Sequence, residues 1–195
     1  MNRLPRLCIW PALLLPALFS CTYAPPRPGL FGPGAAAVSA RQGIDRQLTE
    51  GDYPEALALI DGERRRGASK TLVAKDYLAA VAGSLKSAAA AQAEDDYRGA
   101  GLLYRAILDY YPANLPLDQQ LKTSRQSIEM NLRFCSDRLM EQGLNAYRSG
   151  DLDGAIGAWS QILEFDPAHD PAGNALSTAV RQRDALRTLE KASRP

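Results

Sequence analysis

The sequence predicts an all-α fold, and three features support this fold class. Apolar residues make up 46% of the 195-residue chain while aromatic residues make up only 7%, and alanine is abundant, as expected where helices pack closely. Apolar residues recur at helical spacing, and few stretches of β-branched residues alternate with period two. A helix–turn–helix pattern also recurs along the chain. A chain of this length can bury one core.

The first predicted hairpin pairs a helix over residues 35–50 with a helix over residues 54–65. The turn between them contains Gly51, Asp52 and Tyr53. Pro54 is tolerated because the first turn of a helix leaves its N–H groups unpaired. Asp52 places a carboxylate at the positive end of the second helix. Residues 67–69 then break the chain.

A long helix is predicted over residues 70–93, with an apolar face of Leu78, Val81, Leu85 and Ala88. The next predicted helix follows Asp95-Asp96 and ends before Pro112. A second long helix is predicted over residues 117–149, because one apolar stripe continues along it. The members of this stripe are Leu121, Ile128, Leu132, Cys135 and Leu139.

The last two predicted helices lie on either side of Asp166-Pro167, which stops the first of them. The final helix, residues 169–191, has an apolar side of Ala172, Leu176, Ala179 and Val180. Its later turns are basic and polar. A helix with a polar outer face is what the end of a helical array requires.

Residues 96–112 and 151–167 form an internal repeat with an offset of 55. The paired positions include Asp96 with Asp151, Gly99 with Gly154, Ala100 with Ala155, Tyr104 with Trp159, and Pro112 with Pro167. The segment from Gly51 to Leu57 resembles the same turn, and its Asp52 lies 44 residues before Asp96. Helical amphipathicity alone would not match the Gly, the Asp and the Pro together.

The stretch from Gly143 to Pro167 resembles a tetratricopeptide repeat, a helix–turn–helix unit of about 34 residues. Small residues (Gly143, Ala155) occur where two helices approach closely, and Trp159 follows Ala155 by four residues on the same face. The resemblance implies a short tetratricopeptide-like α-solenoid over residues 35–192, with lengthened first helices and a C-terminal capping helix. Both offsets exceed the length of the family's repeat unit. We expect the additional residues to lengthen the first helices, so that Leu117, Leu121 and Ile128 pack on the part of the preceding long helix at residues 72–81.

In this family, peptides bind along a concave face lined by the first helices. Carried over by position, the resemblance implies a partner-binding surface formed by Leu85, Ala89 and Gln92 in the middle repeat and by Met140, Leu144, Tyr147 and Arg148 in the last repeat. Arg148 could pair with a carboxylate of the partner. Trp159, Tyr104 and Phe165 resemble the packing aromatics of the family, which predicts that they belong to the core.

The N-terminus predicts an export signal and a lipid anchor. Arg3 and Arg6 precede an apolar run at residues 7–19 that is too short for a membrane-spanning helix. Leu18-Phe19-Ser20-Cys21 is similar to a bacterial lipobox, which implies cleavage after residue 20 and lipidation of Cys21. The alternative is ordinary secretion with Cys21 as a plain thiol. Residues 22–34, rich in Pro and Gly, would form a tether. Thr22 after the cysteine favours the periplasmic face of the outer membrane, with the inner membrane as the alternative.

Charge and residue content argue against several function classes. After residue 20 the chain has 21 basic and 22 acidic residues, which argues against nucleic-acid binding driven by phosphate neutralisation. Neither His169, the single histidine, nor Cys135 has partners at metal-ligand spacing. We predict that Cys135 is buried and that His169 is a surface or capping residue. No common catalytic or nucleotide-binding motif is present, so we expect no metal, no cofactor, no small-molecule substrate and no catalytic residues.

These features predict a non-catalytic envelope lipoprotein that acts as an adaptor for a protein partner in assembly, secretion, pilus or cell-wall machinery. Two alternatives remain. A helical cell-wall enzyme or carbohydrate-binding protein would need a cleft that brings Glu129, Asp137 or Glu141 about 5–9 Å apart. A self-associating structural protein would use the apolar stripe at residues 117–139 as a dimer seam. The three arginines at residues 64–66 could contact lipid headgroups, but we prefer the role of C-terminal helix charges.

Overall fold

The computed structural model describes residues 33–111 and 123–193, which form seven α-helices and no strand. The all-α prediction is therefore confirmed for these residues. The helices are α1 (Pro33–Glu50), α2 (Tyr53–Arg65), α3 (Lys70–Ala93), α4 (Tyr97–Asp109), α5 (Arg125–Arg148), α6 (Leu152–Phe165) and α7 (Asp170–Ala192). Helix α1 begins two residues before the predicted start, so Pro33 and Gly34 belong to it and not to the preceding segment.

The helices form a solenoid-like arrangement in which each one packs against the next in the chain. The second helices of the three hairpins also pack together, α2 on α4 and α4 on α6, and α1 contacts α3. The hairpins therefore stack in sequence order. Helix α7 packs on α6 and closes the stack.

The three hairpin turns share one local structure, centred on Asp52, Asp96 and Asp151. Each aspartate caps the second helix of its hairpin, with φ between −83° and −79° and ψ between 71° and 80°. The three carboxylates accept hydrogen bonds from the backbone N–H three residues later, at N–O distances of 3.2, 2.8 and 2.8 Å. The residue before each aspartate has a positive φ. The repeat found in the sequence is thus a repeat of backbone geometry.

Gly143 allows α5 and α6 to approach closely, as its position in the repeat predicts. A Cβ placed on Gly143 would lie 2.6 Å from two atoms of the Trp159 ring. A similar contact joins α4 and α6, since a Cβ on Gly101 would lie 2.6 Å from Phe165. Ala155 is fully buried in the same interface. These small residues set the spacing at which large aromatic rings fill the core.

The prediction of a helix over residues 117–149 is wrong at its N-terminal end. Helix α5 begins at Arg125, where the side chain of Ser124, itself in an extended conformation, accepts a hydrogen bond from the N–H of Ser127. This cap satisfies a donor at a helix start, and it separates α5 from the residues before it. Leu117 and Leu121 lie outside the described residues, whereas Ile128 is fully buried.

The extra residues of the last repeat lie between α4 and α5 and not within α5 itself. Helices α3 and α5 each have 24 residues. The connection between α2 and α3 covers residues 66–69, whereas that between α4 and α5 covers residues 110–124. These connections have four and 15 residues, and their difference of 11 equals the difference between the 55- and 44-residue offsets of the caps. Long first helices are thus present, but they do not account for this difference.

The apolar stripe of α5 faces the interior of the chain. Ile128, Leu132, Cys135 and Leu139 are between 0 and 6% exposed and belong to the common core. The core also contains Trp159, Tyr104 and Phe165, so the prediction that these aromatics pack internally is confirmed. The part of the stripe that the structure describes is buried within one molecule, so it cannot serve as the dimer seam of the self-association alternative.

Helix α7 has the expected apolar side. Ala172 and Ala179 are fully buried, while Leu176 and Val180 are half-buried. Arg183 and Arg187 fix its later turns to α6 through Asp153, each at 3.3 Å. Beyond these ion pairs the helix is exposed, and it carries Leu186 and Leu189 on its surface.

Candidate partner-binding groove

An open groove of about 500 Å³ runs between α5 and α7, with α6 beneath it. Helix α5 contributes Met140, Glu141, Leu144 and Tyr147, helix α6 contributes Trp159, and helix α7 contributes Asn174, Ala175 and Thr178. The residue pairs follow the helix periodicity, since Met140 and Leu144 are four residues apart on α5 and Ala175 and Thr178 three apart on α7. The side chains along both walls therefore point into the same space.

The floor and one end of the groove are held by specific contacts. Trp159 is 3% exposed, and its indole N–H donates to the carbonyl oxygen of Met140 at 3.4 Å. The ring of Tyr147 lies against Trp159, with 5.8 Å between the centroids. The Tyr147 hydroxyl donates to Oε1 of Gln182 at 2.6 Å and so ties α5 to α7. The groove is thus formed on a packed base before any ligand binds, which lowers the ordering cost of binding.

The lining of the groove suits noncovalent contact with apolar side chains. Leu144 is 40% exposed within it. The one carboxylate in the lining, Glu141, is paired with Arg138 at 2.5 Å. The remaining polar groups are the Asn174 amide and the hydroxyls of Tyr147 and Thr178. Apolar walls with a few polar groups that fix orientation are typical of ligand-binding grooves.

Three of the seven residues that the sequence assigned to partner binding line this groove together, namely Met140, Leu144 and Tyr147. Arg148 is exposed at the last position of α5, just beyond the lining. Leu85 is half-buried against the core, and Ala89 is exposed on α3. The structure does not place these three residues in the groove.

Gln92, also assigned to partner binding, lies outside the groove and bonds within the fold. Its amide joins α3 to the core, because its nitrogen donates to the Cys135 sulfur at 3.5 Å and its oxygen accepts from the Tyr104 hydroxyl at 3.2 Å. Both groups of the amide are thus engaged inside the fold. Gln92 lies on a helix made mostly of small, apolar residues. Its amide forms hydrogen bonds with buried groups of the protein and does not point towards the groove.

Sequence analysis missed the contribution of α7 to the groove. Asn174, Ala175 and Thr178 were not predicted, because the helix was interpreted only as a cap. The signal was available in the helical spacing: these residues adjoin the buried face defined by Ala172 and Ala179, and they are small enough to leave space above it.

The other singled-out residues have structural roles in the described part of the chain. Cys135 is fully buried, and burial raises the pKa of its thiol despite the hydrogen bond from Gln92. His169 caps α7, since its Nδ1 accepts from the N–H of Ala172 at 3.1 Å, which confirms the capping prediction. Arg64 and Arg65 pair with Asp61, and Arg66 pairs with Glu63 at 2.5 Å. The three arginines thus lie at the C-terminal end of α2 and pair with carboxylates of the same helix.

The three carboxylates considered for a cell-wall enzyme are spread along α5. Glu129 pairs with Arg125 at 2.9 Å beside a different groove from the one that contains Glu141. Asp137 is exposed on the same helix. Among the described residues, no group of three or more His, Cys, Asp or Glu side chains has the arrangement of a metal site.

Cys21 and the rest of the predicted export signal lie outside the described residues. Within residues 33–111 and 123–193, no helix is both long enough and apolar enough to cross a membrane.

No protein family, curated protein or solved structure matches the chain.

Proposed function

We propose that this protein is a membrane-anchored, non-catalytic helical adaptor of the bacterial envelope. A lipid on Cys21 holds it at the periplasmic face of the outer membrane, and the groove between α5 and α7 holds a protein partner. The partner belongs to an assembly, secretion, pilus or cell-wall machinery. The observation that carries the proposal is the open apolar groove, with Leu144 40% exposed above a buried Trp159.

The groove supports a binding role because its shape is set by contacts that need no ligand. The indole hydrogen bond, the ring contact and the Tyr147–Gln182 hydrogen bond fix the floor and one end. Exposed apolar side chains on such a base gain free energy when a partner covers them, at about 25 cal/mol per Å² of apolar area removed from water. A partner segment that inserts two or three apolar side chains, such as one face of an amphipathic helix, fits this lining.

The anchor is supported by the sequence before α1. Residues 22–32 separate Cys21 from the first helix, and Pro and Gly are frequent among them. An extended Pro-rich chain spans about 3 Å per residue, so these 11 residues could place α1 up to about 35 Å from a membrane. Acyl chains contribute about 0.8 kcal/mol per buried methylene, which makes a multiply acylated cysteine a stable anchor.

The adaptor role is tested by comparing two charge substitutions on α5. Leu144→Glu introduces a carboxylate inside the groove, and Met130→Glu introduces one at an exposed position outside it, where Met130 is 55% exposed. Both side chains are exposed enough for the fold to tolerate the change. Proteins that cross-link to the affinity-tagged adaptor in intact membranes are then isolated and quantified.

We expect Leu144→Glu to lower recovery of the bound protein about tenfold or more, because a desolvated, unpaired carboxylate opposes binding by at least about 1.4 kcal/mol. Recovery with Met130→Glu should stay within about twofold of wild type. Equal recovery with both variants would refute the assignment of the partner to this groove.

A further inference from the structure

A second apolar groove, of about 430 Å³, lies at the other end of the fold between α1, α2 and α3. Its apolar lining consists of Val38, Ile44, Ile60, Ala68 and Val73. Val38 is 58% exposed, whereas Ile44, Ile60 and Val73 are at most 7% exposed and form the floor. This groove therefore has an exposed apolar rim above a buried apolar base.

One polar contact crosses the groove. Arg41 of α1 forms an ion pair with Asp76 of α3, and Asp76 is 5% exposed. This pair holds α1 and α3 at a fixed spacing beside the apolar walls. The opening is thus a formed feature of the hairpin stack.

The groove lies at the point where the chain enters the fold. Its lining combines the early turns of α1, which begins at Pro33, with the last turns of α2 and the start of α3. These ends meet because consecutive helices are antiparallel. Any chain that immediately precedes Pro33 therefore starts beside the groove.

The residues before α1 contain an apolar pair at this position. Leu30 and Phe31 are adjacent, and they are flanked by Gly29 and Gly32. With Pro33 as the first helical residue, Phe31 occupies the position two residues before the helix. This pair is the apolar segment that lies nearest to the start of α1 on its N-terminal side.

We propose that Leu30 and Phe31, which lie outside the described residues, bind in the groove between α1, α2 and α3. Val38 is five residues into α1, about 8 Å along the helix axis at 1.5 Å per residue. Leu30 is three residues before Pro33, a reach of about 10 Å at 3.3–3.6 Å per residue. To reach Val38 the chain would have to fold back at Gly32, which the conformational freedom of glycine permits.

This binding has a consequence for the proposed anchor, although it does not depend on lipidation. Residues 30–32 would belong to the folded domain, and only the eight residues 22–29 would separate it from Cys21. The greatest span of the tether would fall from about 35 Å to about 25 Å at roughly 3 Å per residue. The groove would thus set the distance between membrane and domain.

The test places the photoreactive residue p-benzoylphenylalanine at position 31 of the full chain. After irradiation, trypsin separates the segment around residue 31 from the peptides that carry Ile60, Ala68 and Val73. We expect an intramolecular cross-link to at least one of these three peptides. The same photoreactive residue at Tyr23 is the control, and we expect its yield on these peptides to be at least about tenfold lower.

A blocking variant makes the result specific to the groove. Val38→Lys places a charge on the exposed rim, where 58% exposure allows the substitution without unfolding, and it should lower the cross-link from position 31 several-fold. A cross-link in a band of dimer mass, or to a different protein, would assign the groove to a second copy or a separate partner and would overturn the proposal. Equal yields from positions 23 and 31, or no cross-link to α2 or α3, would overturn it as well.

Discussion

Replacing Gly143 with alanine should destabilise the protein, although alanine is the better helix former. Gly143 lies inside α5, where Gly→Ala alone would stabilise a helix by about 1 kcal/mol. Against this, the new Cβ would lie 2.6 Å from atoms of the Trp159 ring. Trp159 is 3% exposed and is held by the Met140 carbonyl and the Tyr147 ring, so it has little room to withdraw. Overpacking of this kind costs typically about 1–3 kcal/mol and can cost more.

The matched control is Gly157→Ala in α6. Gly157 is exposed, and a Cβ there would meet nothing within 4 Å, so only the gain in helix propensity applies. We expect Gly157→Ala to raise the free energy of unfolding by up to about 1 kcal/mol. We expect Gly143→Ala to lower it by up to about 2 kcal/mol, once the propensity gain of about 1 kcal/mol is subtracted from the steric cost.

The measurement is thermal unfolding followed by circular dichroism at a helix-sensitive wavelength. For a domain of this size, 1 kcal/mol shifts Tm by about 2–4 °C. Gly143→Ala should therefore melt up to about 8 °C below wild type and Gly157→Ala up to about 4 °C above it. If Gly143→Ala melted as high as Gly157→Ala, the close approach of α5 to Trp159 would be wrong.

Three further predictions test the anchor, the core and the charge network. Cys21→Ser should move the protein from the membrane fraction to the soluble fraction, and unchanged fractionation that still depends on detergent would contradict lipidation. Ala155→Trp should unfold the last hairpin, because Ala155 is fully buried, and a melting curve like that of wild type would show that this contact is absent. Burial raises the pKa of Asp61, but hydrogen bonds from Arg64 and Arg65 outweigh it and hold this pKa below its usual value. The ionised carboxylate therefore contributes stability that is present above about pH 4 and is lost as pH falls through the folded-state pKa. The difference in urea midpoint between wild type and Asp61→Asn should shrink as pH is lowered from 7 towards 3, and a difference that is independent of pH would contradict this ion-pair network.

The features that sequence could predict are those with a local physical cause. The aspartate caps recur because an Asp before a helix accepts backbone N–H bonds, and this shows directly in residue type and spacing. The buried side of α5 follows from helical periodicity, which the residues from Ile128 to Leu139 preserve. Gly143 was also recognisable as a small residue where two helices approach, and Trp159 as a packing aromatic.

The features that sequence missed depend on tertiary contacts. Nothing local distinguishes an amide that faces a ligand from one that bridges Tyr104 and Cys135, as Gln92 does. Likewise, the apolar pattern could be extended back to Leu117, although the cap at Ser124 starts α5 later. Three of the eight residues that line the groove come from α7, and these residues acquire a role only where they face α5 across Trp159.

The most direct test of the adaptor role is site-specific photocross-linking from the groove in native membranes. A photoreactive residue at Leu144 should give one discrete adduct with another protein, and the same residue at Met130, exposed on the same helix outside the groove, should not. The adduct should also be lost with Cys21→Ser if the anchor brings the adaptor to its partner. No adduct from position 144, or the same adducts from positions 144 and 130, would contradict the proposal that this groove holds a protein partner.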